Sequence, residues 1–259
     1  MRSHCQVVVL GFLQAGGRIT DSDVIYRDIQ LPAELFSGRD LAGVGYLRRF
    51  ADYGGSLGAG SRPFVATLPN GLRFEAKPEA LLATLGMLVE RFVDDEYAWL
   101  DAAGRVVVDV GANVADSVVY FAQRGAAYVF GYEPDPTTFA AAQRNLELNK
   151  FRNASVAPLA VVGETSNGHT SFADVLAQAG NQHPGLPIIC KIDCEGCEYE
   201  IFAPGQVAPP GMERVSQIMI EYHWRSPEIL RTTLEGMGFQ VETAPGATGV
   251  GWIRARRPS

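Results

Sequence analysis

From residue 105 onward, short runs of consecutive apolar residues alternate with amphipathic stretches, and this alternation limits the possible folds more than any other feature of the chain. Val106 to Val108 is apolar throughout and ends at Asp109. A helical pattern from Ala115 to Arg124 follows, with Gly125 where a left-handed residue closes helices. Tyr128 to Tyr132 reads as the next strand and ends at Glu133. In Pro134-Asp135-Pro136, Asp135 is suited to cap a helix and Pro136 to begin it. That helix runs to about Asn149, with Phe139, Ala142 and Leu146 on its inner stripe. Further strands are predicted at 154–159, 187–192 and 217–222, a helix from Glu228 to about Gly236, and two closing strands at 239–243 and 250–254. Strands this uniformly apolar belong to a mostly parallel sheet covered by helices on both faces. The closing strands are joined by a turn at Pro245-Gly246, too short for a crossover helix, so they must pair antiparallel at the end of the sheet.

Residues 1–85 lack this rhythm and are expected to form a separate lobe, a cap over the substrate or an oligomerisation surface, ahead of a main domain at 86–259. Within the lobe, Phe64–Leu68 and Leu72–Ala76 flank Asn70-Gly71, a strong hairpin signal. Glu79 to Phe92 has helical spacing, and Val7 to Leu13 is expected to be a buried strand or helix. No apolar run reaches the roughly 18 residues that would span a bilayer.

The net charge of −7 offers no basic surface for nucleic acid, so the expected substrate is a neutral small molecule or one held by local charges. Cys5, Cys190, Cys194 and Cys197 lack the even spread of a disulfide framework, and reduced thiols in a cytoplasm are expected. Cys194 and Cys197 have no second ligand pair for zinc and no thioredoxin-like unit around them. They are read as small side chains packed near a turn, and no metal is expected.

Four strand ends carry the chemistry. Asp109, Gly111, Ala112, Asn113, Asp116 and Ser117 form a strand–glycine–helix turn, where ligands of open α/β sheets bind. Glu133, followed by Pro134, lies about 20 residues after Gly111, where an acid can accept both hydroxyls of a ribose. A pyrophosphate would need a glycine-rich loop and would be repelled by Asp116, whereas S-adenosylmethionine carries no phosphate and tolerates Asp109 and Asp116. The cofactor expected is therefore S-adenosylmethionine. Lys191, Asp193, Glu195 and Glu198 crowd the end of a later strand, a grouping that is costly unless it acts on something. His223 ends the next strand and is placed for proton transfer. Catalytic roles fall to His223, Asp193, Glu195 and Lys191, with Asp193 also facing the cofactor.

The stretches Val107–Val114, Glu133–Pro136, Asn145–Asn149, Lys191–Gly196 and Glu221–His223, in this order, resemble the FkbM family of S-adenosylmethionine-dependent methyltransferases, and Phe92–Tyr97 resembles its lead-in. The resemblance covers residues 90–240. It implies a Rossmann-like class I methyltransferase sheet of seven strands with an antiparallel last strand, and O-methylation of hydroxyls on sugars or natural products. Two departures stand out: Ala115 where the family has glycine, and the cysteine pair inside the Lys-Ile-Asp…Glu-Gly motif. An NAD-dependent oxidoreductase is disfavoured by the missing glycines. A binding module that no longer catalyses is disfavoured by the acids and histidine at both later strand ends. A homodimer through the N-terminal lobe completes the expectations.

Overall fold

The computed structural model describes residues 2–36, 43–58, 63–166, 168–246 and 249–258. The chain divides into two compact units that part between Tyr97 and Ala98, not at 85/86 as the sequence suggested. The displacement has a simple cause. Helix α3 (Leu81–Phe92) buries Leu85, Leu88 and Val89 and packs on helix α2 (Gly43–Asp52), so it belongs to the first unit.

The first unit also holds helix α1 (Arg2–Gln14) and two small antiparallel sheets. One is β1 (Arg18–Ile19), β2 (Asp23–Tyr26) and β3 (Ile29–Pro32); the other is β4 (Ser56–Leu57), β5 (Phe64–Thr67) and β6 (Arg73–Ala76). The β5–β6 hairpin forms as its Asn-Gly signal predicted, with Gly71 at φ +87°. The Val7–Leu13 stretch is helical but only partly buried. Phe12 is fully enclosed, while Val7, Leu10 and Leu13 line an exposed edge of α1. No helix among the described residues is long and apolar enough to cross a membrane.

The second unit is built on a seven-stranded sheet: β7 (Val106–Val110), β8 (Tyr128–Tyr132), β9 (Ala154–Ala157), β12 (Ile188–Ile192), β13 (Val215–His223), β14 (Gln240–Pro245) and β15 (Val250–Arg256). Across the sheet the order is β14-β15-β13-β12-β7-β8-β9. All neighbours are parallel except β15, which pairs antiparallel with both β13 and β14. Around the sheet lie α4 (Asp116–Gln123), α5 (Pro136–Asn149), α6 (Phe172–Gln182), α7 (Glu198–Ile201) and α8 (Glu228–Gly236). Asp135 caps α5 by accepting from the amides of Thr137 and Thr138, with Pro136 at the first helical position, as predicted.

Helix α6 and the short parallel pair β10 (Ala160–Val162) and β11 (His169–Ser171) were not anticipated. The sequence does carry a signal for α6: Ser171 caps the helix by accepting from the amide of Asp174, and its hydroxyl donates back to the Asp174 carboxylate.

Strand alternation sorts the sheet's two faces. Val106, Val108, Val110, Ile188, Cys190, Ile192, Ile218, Ile220 and Tyr222 join one apolar core with α6 and α8. Asp109, Lys191, Glu221 and His223 occupy the alternate positions and so share the opposite face. Lys191 is in direct register with Asp109 on the neighbouring strand. Asp109 and Lys191 therefore meet because of strand period and register.

Candidate active site

Strand order reverses between β7 and β12: the chain runs outward through β8 and β9, then returns to add β12 and β13 on the other side. Ligands of open α/β sheets bind at such a switch point, outside the carboxyl ends of the strands. On one side of it stand the loop after β7 and Glu133. On the other stand Asp193, Glu198 and His223.

The loop after β7 is braced from below. Lys191, 1% exposed, donates from Nζ to the Gly111 carbonyl at 2.6 Å and pairs with Asp109 Oδ1 at 3.1 Å. Ser117 Oγ donates to the other oxygen of Asp109 at 2.6 Å. Burial pushes the Asp109 carboxyl above the usual range, opposed by the Lys191 ammonium and the Ser117 hydroxyl. From α5, the fully buried Asn145 donates to the Val114 carbonyl at 2.9 Å. Neither Asn145 nor this bracing role of Lys191 was assigned from sequence. Lys191 lies beneath the loop and holds it, rather than facing an acceptor. Asp116 and Ser117 are likewise buried, and Ala112 is fully enclosed.

Gly111 has φ +79°, and a Cβ there would lie 1.7 Å from the carbonyl oxygen of Asp193. The neighbour that demands glycine is thus the loop after β12. Ala115 has φ +65° and ψ 25° at the start of α4, a left-handed conformation that favours glycine. The glycine that the resemblance implies at this place would suit that conformation, and alanine meets it with the smallest side chain that carries a Cβ. Asn113, exposed, is also left-handed at φ +46°.

Glu133 is half-buried at the end of β8, and Pro134 beside it is exposed. Glu133 Oε2 accepts the Asn113 amide at 3.0 Å, and Oε1 accepts the Asp135 amide at 2.9 Å. Burial raises its pKa above the ordinary value, with the two amides pulling the other way. An ionised carboxylate has about four acceptor positions, so each oxygen of Glu133 can accept one more hydrogen bond.

Across the switch point, the ring of His223 lies between two carboxylates. Its Nε2 is 3.8 Å from Asp193 Oδ1, and its Nδ1 is 3.4 Å from Glu198 Oε1. The main-chain amide of His223 donates to the same Glu198 oxygen at 3.0 Å, and the Gly196 amide donates to Glu198 Oε2 at 2.8 Å. Glu198 is fully buried and joins the loop after β12 to the end of β13. Sequence reasoning grouped it with its neighbours but gave it no role; its position in a Lys-x-Asp-x-Glu-x-x-Glu run was the available signal. Glu195, expected from sequence to be catalytic, is exposed at φ +52°, whereas Asp193, Glu198 and His223 lie partly or fully buried beside one another. Asp193, Glu221 and His223 bring their donor atoms within 4.8 Å of one another, a grouping that would admit a divalent cation although none was expected.

Cys194 and Cys197 are joined by a disulfide, with 5.6 Å between their Cα atoms. This corrects the reading of two reduced, packed thiols. The turn Glu195-Gly196 folds back tightly enough to bring the two sulfurs together, which linear spacing does not reveal.

A seven-stranded sheet in this order, with one antiparallel strand inserted beside the edge, is the Rossmann-like fold of class I methyltransferases. No family model matches the chain. The tRNA wybutosine-synthesizing protein 2 homolog of Mus musculus is 25% identical over 193 residues, 69% of this chain and 41% of that protein. Uncharacterized protein 65 of Sulfolobus islandicus filamentous virus is 31% identical over 105 residues, 40% of this chain and 54% of that one. The chain spans less than half the length of the first curated relatives it matches, 41% in the mouse and rat proteins. Among solved structures, an rRNA methylase from Streptococcus thermophilus is 10% identical with a TM-score of 0.44, covering 69% of this chain and 96% of its own. Magnesium protoporphyrin IX methyltransferase from Synechocystis, solved with bound S-adenosylmethionine, is 15% identical with a TM-score of 0.43, covering 70% and 83%. The strand order itself, not these distant likenesses, defines the fold.

Proposed function

We propose that the chain is an S-adenosylmethionine-dependent methyltransferase of the FkbM type, acting on a hydroxyl of a sugar or natural-product-like small molecule in the cytoplasm. One observation carries this reading: a half-buried acid, Glu133, and an acid-flanked histidine, His223, stand on opposite sides of one switch point. The residues suit the cofactor. Glu133 can accept two ribose hydroxyls, and the acids Asp109 and Asp116 beside the loop disfavour a pyrophosphate.

Bound there, S-adenosylmethionine supplies an electrophilic methyl group on a sulfonium. The chain's own residues supply the rest. The backbone of Gly111 to Asn113 and the carboxylate of Glu133 hold and orient the donor. Asp193 and His223 align the acceptor hydroxyl, and His223 takes its proton as the new bond forms, with Glu198 fixing the position of the histidine. The N-terminal unit is assigned to covering the acceptor or to pairing two copies.

A second reading comes from the name of the mouse and rat relatives, which points to tRNA as acceptor. The net charge of −7 speaks against a phosphate backbone as partner. Cell extract incubated with the protein and methyl-labelled S-adenosylmethionine separates the two. Label is expected in a small molecule, at oxygen, and labelling should cease when residues 1–97 are removed if that unit binds the acceptor. Label confined to the RNA fraction would establish the second reading instead.

A further inference from the structure

We propose that Cys194 and Cys197 form a reversible thiol–disulfide exchange site, opened by dithiol reductants, that sets the position of Glu198 and through it of His223. The link to catalysis rests on the functional reading above; the exchange site itself does not.

The disulfide closes a ring of four residues, Cys194 to Cys197. Inside it, Glu195 at φ +52° and Gly196 at φ +121° are both on the left-handed side, a conformation that side-chain-bearing residues such as Glu195 avoid. The residue before the ring is Asp193, whose carbonyl abuts Gly111 in the loop after β7 and whose side chain lies 3.8 Å from His223. The residue after the ring is Glu198, which holds the His223 amide with one oxygen and the ring's own Gly196 amide with the other. The cross-link therefore sits between the two carboxylates that flank the histidine, and one of them is bonded back into it. Breaking the cross-link frees Glu195 and Gly196 to leave their left-handed conformation. Loss of the Gly196 bond then releases one anchor of Glu198.

Both cysteines are partly exposed, so a reductant can reach them. Cys190, the free cysteine among the described side chains, is buried, and burial raises its thiol pKa, which keeps it out of exchange. In the forward step a thiolate of the dithiol attacks one sulfur. The Cys194–Cys197 bond breaks and a mixed disulfide forms. The second thiolate of the reductant then displaces it. The protein gains two electrons and two protons as a pair of thiols, and the reductant leaves as a disulfide.

The test poises the full-length protein in buffers of oxidised or reduced dithiothreitol. Free thiols are alkylated under denaturing conditions and mapped by peptide mass spectrometry, and amide hydrogen exchange is measured in parallel. The oxidised arm should contain the Cys194–Cys197 linkage. In the reduced arm, peptides spanning 194–200 and 221–225 should exchange about threefold faster or more, as the Gly196 and His223 amides lose protection. C194S/C197S should match the reduced arm in both buffers, and S-adenosylhomocysteine, titrated in both wild-type arms, should bind in each. Absence of the linkage in the oxidised arm, or equal exchange in both wild-type arms, overturns the proposal. Failure of S-adenosylhomocysteine to bind in either arm would overturn the methyltransferase reading, while the exchange data would still decide the redox site.

Discussion

His223→Ala is expected to lower kcat by about 100-fold or more while S-adenosylhomocysteine affinity stays within a few-fold. Methyl transfer from a sulfonium needs no acid for the leaving group. The chain must align the nucleophile, worth several kcal/mol of barrier, and accept a proton that an alcohol releases late. On the proposed reading His223 takes the second task; Asp193 Oδ1 lies 3.8 Å from its Nε2 and Glu198 Oε1 3.4 Å from its Nδ1. Steady-state kinetics with the acceptor found in extract checks this. Near-normal kcat in His223→Ala together with a large loss in Asp193→Asn would move the base to Asp193. Insensitivity to both changes would place the acceptor elsewhere.

Gly111→Ala should damage fold and site together. The new Cβ would stand 1.7 Å from the Asp193 carbonyl oxygen, a backbone atom that no rotamer change can move, and alanine would also have to adopt φ +79°. Opening that contact separates the loop after β7 from the loop after β12. A loss of about 3 kcal/mol or more is expected, which for a unit of this size lowers Tm by roughly 6–12 °C. S-adenosylhomocysteine binding should fall in parallel. A Tm within about a degree of wild type, read by calorimetry, would mean that the two loops tolerate separation.

Much of this site could be read along the sequence, because it depends on short-range regularities. The runs Val106–Val108, Tyr128–Tyr132 and Ile188–Cys190 are apolar throughout because the sheet is covered on both faces, and each gives way to a charged residue, Asp109, Glu133 or Lys191, towards the carboxyl end of its strand. The caps at Asp135 and Gly125 follow from local backbone chemistry and need no tertiary information. What stayed hidden depends on register and on contacts between distant segments. Lys191 reads as one charge in an acidic cluster until the β7–β12 register sets it against Asp109 and beneath Gly111. Glu195 and Glu198 are equivalent on paper. Only the turn at Glu195-Gly196 sends one into solvent and the other under His223. The disulfide depends on the same turn. The first unit is harder still, because its strands are only two to four residues long and too short to show a period.

Calorimetric titration of the full-length protein with S-adenosylhomocysteine, and separately with NAD, tests the central claim most directly. One equivalent of S-adenosylhomocysteine should bind and NAD should not. Glu133→Ala should weaken binding at least about tenfold, since a charge-assisted hydrogen bond contributes about 1.5–3 kcal/mol. Binding of NAD in place of S-adenosylhomocysteine, or an affinity for S-adenosylhomocysteine unchanged by Glu133→Ala, would contradict the assignment of this crevice.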